Sequence, residues 1–315
     1  MLLRMVRRRS FFPALFAALL ALLSAGLLLL LYRPGSVEQS PLLAEKGEWA
    51  LIRGASVSTE RLLTFPREQW MQGPLMLASP AHPLPNDYPI PDARAVRAMV
   101  GSYLPVQEGV ALRAEVTYAL CAMHTDRSLA GQAVITQGVL SAAQQEELRR
   151  TAYGRYAAVY PVTEALEKAA AAVPGGNESE HQTGYALDIA LTEPLTMKEI
   201  NPLLRNEAGR WLAENMRRYG FIQRQSVCEN VHLRYVGIPH AAAMGLLGLD
   251  LEDYLDFLHQ ERELTLLRDG APYAYLVCVP AAEAVSFPVP DQAAFLVSGD
   301  NTGWVIGAIA AQKRF

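Results

Sequence analysis

His181, Asp188, Glu229 and His232 occupy two short segments whose side chains together suit metal-assisted hydrolysis. The first segment, "NESEHQTGYALDIAL" at 177–191, sets His181 just before Gly184 and places Asp188 among Tyr185, Leu187, Ile189 and Leu191. From Tyr185 onward the pattern is that of a strand, with Leu187 and Ile189 on one face and Ala186, Asp188 and Ala190 on the other. A carboxylate among small apolar neighbours is costly unless an arginine, a hydrogen-bond donor or a metal ion pairs with it. The second segment, "CENVHLRY", carries Glu229 three residues before His232. In a regular strand such positions face opposite ways, so Glu229 belongs to the loop leading in. Two imidazoles and one carboxylate suit tetrahedral Zn²⁺ with a position open for water, and Glu229 is left to take a proton from that water. A buried polar network built on the same residues is the competing reading.

These residues need a scaffold, and hydrophobic periodicity supplies one. "VALRAEVTYALCAM" puts Leu112, Val116, Ala119, Leu120 and Met123 on one helical face. "GQAVITQGVLS" reads as a strand entering a turn, "AAQQEELRRTAYGRYAAVY" as a helix, and "VTEALEKAAAAVPGG" as a short helix stopped at Pro174. "EAGRWLAENMRRYGFI" repeats the helical period through Trp211, Leu212, Asn215 and Tyr219, "VHLRYVG" is a strand, and "LDLEDYLDFLHQERE" is a last helix. The five prolines of "MLASPAHPLPNDYPIPDA" at 76–93 demand an extended arm. Beyond about residue 263, "LRDGAPYAYLVCVP", "AVSFPVP" and "AAFLVSGDNTGWVIGAIA" read as a small β appendage.

The net charge of −4, with no basic stripe carrying interleaved aromatics beyond the N-terminus, excludes a nucleic-acid binder. Arg4, Arg7, Arg8 and Arg9 precede an uncharged apolar run at 11–32, long enough to cross a bilayer core of about 30 Å. The arginines place the N-terminus in the cytoplasm and the remainder outside it, as a single-pass cell-membrane protein. A cleaved signal peptide, with Ser24, Ala25 and Gly26 at its end, is the alternative. Cys121, Cys228 and Cys278 are far apart and without a CxxC, so they read as mostly buried thiols. Of the other histidines, His124 and His259 read as solvated helix ends, while His82 and His240 lie in proline-marked turns.

"SEHQTGYALDIA" and "CENVHLRYVG" resemble the paired signatures S-x-H-x-x-G-x-A-x-D and E-x-x-H of the zinc D-alanyl-D-alanine carboxypeptidases of the vancomycin-resistance type, relatives of lysostaphin and Hedgehog-type metallopeptidases. "HPLPNDY", "WLAENMRRYGFI", "YVGIPHA" and "LDLEDYLDFL" are similar to that family's flanking segments in the right order. The resemblance implies His181, Asp188 and His232 as zinc ligands, Glu229 as catalytic base and Ser179 as a hydrogen bonder beside them. It implies hydrolysis of the terminal bond of a peptidoglycan stem peptide. The chain departs from the family at one place. The family's G-Y-R-S turn, followed by a glutamine, carries an arginine that grips the substrate's terminal carboxylate. Here "GVLSAAQQEEL" supplies Gly138, Ser141 and Gln145 as matches but Leu140 at the arginine position. "DRSLAGQ", with Arg127 and Gln132, is a second register, and Arg149, Arg150 or Arg155 could reach in from the next helix. Cleavage within a stem or cross-bridge, or wall-peptide binding with little turnover, are the alternatives this opens.

The expected architecture is α+β: a small antiparallel sheet flanked by helices, carrying a zinc site. Its expected order is a basic segment (1–10), a transmembrane anchor (11–32), a linker (33–65), the catalytic domain (66–262) and a C-terminal β module (263–315).

Overall fold

Alternating apolar residues pair off into antiparallel ladders in this chain, and helices cover them. The structure, a computed structural model, describes residues 42–57, 61–86, 88–89, 92–192, 202–204, 206–224 and 230–311. Its strands are β1 (Leu42–Lys46), β2 (Trp49–Arg53), β3 (Arg61–Pro66), β4 (Ala93–Ala95), β5 (Ala111–Arg113), β6 (Ala133–Gln137), β7 (Ala186–Leu191), β8 (Phe221–Gln223) and β9 (Val231–Tyr235). Strands β10 (Glu263–Arg268), β11 (Ala271–Pro280), β12 (Ala284–Val289), β13 (Phe295–Gly299) and β14 (Trp304–Ala310) follow. The longer helices are α1 (Ala114–Asp126), α2 (Ala142–Ala157), α3 (Val162–Ala172), α4 (Glu207–Asn215), α5 (Ile238–Leu247) and α6 (Leu251–Glu261). The mixed α+β reading with antiparallel sheets is borne out.

The sheet that matters for chemistry has the order β6-β7-β9-β8, with every neighbour antiparallel. Its pleat sends Leu187, Ile189, Val231 and Leu233 into a core shared with Ile135, Leu120, Leu212 and Phe221. Fully burying such a side chain is worth about 1.5–3 kcal/mol, and a one-residue slip would turn the whole set outward. The register is therefore held, and it sets Asp188 directly opposite His232 on the other face.

The helices that flank this sheet begin and end for local reasons. Helix α1 buries Val116, Leu120 and Met123 at helical spacing; Leu112, expected on the same face, lies one element earlier on β5. Ser141 caps α2, its hydroxyl accepting from the Gln144 amide while the Gln144 side chain accepts from the Ser141 amide. Helix α3 packs on α2 and stops before Val173-Pro174, where proline disfavours a helical predecessor. The period expected through Tyr219 is met by α4 and a final 3-10 turn, Met216–Tyr219.

A second sheet, in the order β1-β2-β10-β11-β14-β13, corrects the linker reading of residues 33–65 from Leu42 onward. β1 and β2 form a hairpin about a two-residue turn at Gly47-Glu48, and β2 pairs with β10. Leu51 is fully buried against Leu264, Leu266 and Leu276. β3 likewise pairs with β12. The C-terminal strands are present as expected, but N-terminal strands complete their sheet.

His259 corrects its solvated reading as well. Its Nε2 lies 2.6 Å from Oδ2 of the fully buried Asp300, and its ring stacks on Trp304. Asp300 also accepts from the Thr302 and Trp304 amides, so this carboxylate ties α6 to the β14 hairpin. Cys121 and Cys278 are free thiols. The expected basic segment and anchor at 1–32, together with Cys228, lie outside the described residues; among those described, no helix is long and apolar enough to cross a membrane.

Candidate metal centre

Two strands and one tight turn bring the ligand candidates together. His181 sits on a 3-10 turn, Glu180–Thr183, that ends at Gly184 in the left-handed region at φ 78°. A side chain at 184 would be strained there, so glycine lets the chain leave the turn and enter β7 within two residues. Asp188 follows on β7, and His232 stands beside it on β9.

One ligand-capable atom from each of His181, Asp188 and His232 falls within a group no more than 4.8 Å across. His232 Nδ1 is 2.7 Å from Asp188 Oδ1, and His181 Nε2 is 3.5 Å from the same oxygen. The nitrogens facing away are both engaged. His181 Nδ1 meets the Gly138 carbonyl at 2.8 Å, and His232 Nε2 meets Glu180 Oε2 at 3.1 Å. Gly138 can offer its carbonyl because the backbone packs so closely there that a Cβ would overlap the Ala111 carbonyl oxygen. Anchored outer nitrogens leave His181 Nε2 and His232 Nδ1 facing each other across Asp188. A two-imidazole, one-carboxylate set of this kind fits a divalent metal with a coordination position to spare.

Electrostatics point the same way. Burial works against the Asp188 charge, yet hydrogen bonds with His181 and His232 outweigh it and hold the carboxyl far below its usual range. Burial also opposes charge on His232, but its bonds to Asp188 and Glu180 raise it to about 9. The metal-free centre therefore holds an imidazolium between two carboxylates at neutral pH. Because the folded value lies above the unfolded one, that pairing stabilises the metal-free fold fully below about pH 6.5 and is lost as pH rises through 9. Metal uptake must displace this proton. Affinity is expected to climb about tenfold per pH unit between pH 7 and 9 and then flatten. Calorimetry in buffers of different ionisation enthalpy reads the released proton; a flat profile with none released would remove His232 from the ligand set.

A cavity of about 400 Å³ opens onto the triad. One wall is the stripe Gln145, Leu148, Ala152 and Arg155 at three- and four-residue spacing along α2, and Val173 at the end of α3 also lines the cavity. Gln145 is buried; its Nε2 donates to the Pro174 carbonyl, and its Oε1 has no partner among the described residues. Ser179 is buried and lines the cavity beside His181. Ser141 does not join them: it is exposed and serves as the α2 cap. Leu140 is half-buried in the turn before it. Arg127 is taken by Glu207 at 3.1 Å, Arg149 by Glu178 at 3.3 Å and Arg150 by Glu147 at 2.7 Å. Arg155 lines the cavity and has no ion pair among the described residues. Glu229 lies outside the described residues, next to the described Asn230.

Sequence reasoning passed over Glu180, Arg224 and Arg234. The buried Arg234 donates to the Pro74 and Met76 carbonyls and so fastens the N-terminal arm behind the His181 turn. Its signal was available as an arginine inside the apolar strand "VHLRYV". Glu180 carried a signal too, as an acid directly preceding a candidate ligand.

Comparison with known proteins agrees with this geometry. Residues 109–238 match the VanY family model, described as D-alanyl-D-alanine carboxypeptidase. A D-alanyl-D-alanine carboxypeptidase of Enterococcus faecium is 33% identical over 144 residues, 43% of this chain and 45% of that protein. The bifunctional D-Ala-D-Ala dipeptidase and carboxypeptidase VanXYC of Enterococcus gallinarum is 37% identical over 106 residues, 30% of this chain and 55% of its own. The chain thus spans about half the length of these curated relatives. In fold it is similar to the solved vancomycin-resistance D,D-dipeptidase VanXYg, with a TM-score of 0.63 at 19% identity over 79% of this chain and 98% of that one. The stretch that matches the VanY family model, residues 109–238, contains all three ligand candidates and Glu229.

Proposed function

We propose that this protein is a zinc peptidase, anchored in the membrane by residues 11–32 and working outside the cytoplasm, that removes the terminal D-alanine from peptidoglycan stem peptides. The observation that carries this reading is the triad itself, with both imidazoles oriented from behind and opening into a cavity. His181, Asp188 and His232 hold the zinc, which supplies Lewis acidity and a water of lowered pKa. Glu229 takes the proton from the attacking water and delivers it to the leaving amine. The unpartnered Gln145 Oε1 accepts a substrate amide N–H, and Ser179 lies beside the ligands to bond the peptide backbone. A second reading, cleavage inside a stem or cross-bridge, is favoured by Leu140 at the position where the family carries its carboxylate-binding arginine.

Arg155 stands ten residues after Gln145 on the α2 wall, about 15 Å along the helix axis. That length accommodates about four residues of extended peptide. Arg155 is thus placed to meet an acidic group well away from the scissile bond, which suits a full stem peptide better than a free dipeptide. The test is a digest of purified muropeptides with and without chelator, followed by mass spectrometry. Chelator-sensitive loss of one terminal alanine supports the carboxypeptidase, cleavage within the stem supports the second reading, and stoichiometric zinc with no product overturns both. In the same assay Arg155→Gln is expected to raise KM about tenfold for a pentapeptide stem and to leave D-alanyl-D-alanine unaffected. Equal effects on both substrates would remove Arg155 from stem recognition.

A further inference from the structure

We infer that Glu180 is a positioning residue for the metal centre: held by Arg224, it fixes the His232 ring so that Nδ1 faces the metal. This rests on the zinc reading of the triad. Glu180 is buried in the turn that carries His181, and its two carboxylate oxygens are divided between two partners. Oε2 accepts from His232 Nε2 at 3.1 Å, and Oε1 accepts from Arg224 Nε at 3.0 Å. The Arg224 fork then closes on Glu252 at the start of α6, with Nη1 and Nη2 at 2.8 and 2.6 Å from its two oxygens. A bidentate guanidinium–carboxylate pair is directional as well as charged, so Glu252 sets the angle at which Arg224 presents Nε. The chain of contacts therefore runs from α6 through Arg224 and Glu180 to the far nitrogen of a ligand histidine.

A neutral imidazole carries one proton and can place it on either nitrogen. With Glu180 accepting at Nε2, the proton stays there and the Nδ1 lone pair is free for the metal. A carboxylate in that place also makes the imidazole a better donor than a neutral acceptor would. His181 receives its orientation from the Gly138 carbonyl, so the two ligands are fixed by different means. Glu180 lines the cavity, but both its oxygens are occupied and Arg224 stabilises its charge. Its effect is therefore on metal retention and ring orientation, while proton transfer remains with Glu229.

The experiment uses the full chain and measures zinc affinity by competition with a chromophoric chelator. It also records the ¹⁵N spectrum of His232 in the metal-free protein at the alkaline end of its own titration, once the ring has lost its second proton. Glu180→Ala is expected to weaken zinc binding about 10- to 100-fold and to shift His232 toward a mixture of tautomers. Glu180→Gln, which still offers an oxygen to Nε2, is expected to keep the tautomer and recover most of the affinity. Should Glu180→Ala fail to fold, Glu252→Gln probes the same contacts from the more exposed end, with a severalfold weakening expected. Zinc affinity within twofold of wild type and an unchanged His232 spectrum in Glu180→Ala, or in Glu252→Gln as its substitute, overturns the inference. If the wild-type chain takes up no zinc, the peptidase reading fails separately, and the His232 spectrum still decides whether Glu180 sets the tautomer.

Discussion

Glu229→Ala is expected to leave zinc bound at one equivalent while slowing hydrolysis of stem peptides by about 10²–10⁴-fold, the usual span for losing a positioned general base. That corresponds to roughly 3–5 kcal/mol in the activation barrier. The loss should fall on kcat, because in the proposed mechanism Glu229 acts on the proton of the attacking water and contributes little to ground-state binding. Glu180, a buried acid in contact with His232, cannot stand in for it. Burial disfavours its charge, but the bond to His232 and the charges of Arg224 and Arg234 prevail and hold its carboxyl far below the usual range. An acid so easily ionised is a poor proton acceptor at neutral pH. Steady-state kinetics with metal analysis of the same sample decides the matter; activity retained in Glu229→Ala would remove that residue from the base role.

Asp188→Asn is expected to cost more metal affinity than Glu180→Ala, beyond the 10- to 100-fold typical of an orienting partner. The amide keeps the shape, the β7–β9 register and the packing of Leu187 and Ile189, so the fold should persist. What disappears is the charge whose Oδ1 lies within 2.7 Å of His232 Nδ1 and 3.5 Å of His181 Nε2. Hydrolysis should fall in proportion to occupancy and recover partly at high zinc, which separates a ligand from a residue that merely shapes the cleft. In the metal-free variant the His232 value of about 9 should drop toward 6.5, since one of its two anionic partners is gone. Stoichiometric zinc surviving dialysis against chelator would show that Asp188 is no ligand and restore the polar-network reading.

Much of the fold around the site was legible because its determinants are local. The alternation from Tyr185 to Leu191 and from Val231 to Tyr235 is strand period, and one core face per strand is enough to specify register. The periods of α1, α4 and α6 were equally plain, including buried Leu212 and the apolar face through Tyr254 and Leu258. The part of the expected linker from Leu42 to residue 65 reads as tether because Lys46, Glu48 and their surroundings are polar. Its pairing with β10 and β12 joins residues some two hundred positions apart, which no local period can announce. The same applies to His259, whose partner Asp300 is 41 residues away.

The chain's sequence alone determined which residues could bind the metal, since ligand chemistry resides in side-chain type and the S-x-H-x-x-G-x-A-x-D spacing is local. Tertiary structure decided how those residues are held. It paired Glu180 with His232, gave Arg224 to both Glu180 and Glu252, and assigned Arg127 to Glu207 while leaving Arg155 on the cavity wall. Choices of that kind depend on which of several like charges packing brings within about 3 Å. A guanidinium on a long flexible stem carries no mark in the sequence of the carboxylate it will meet.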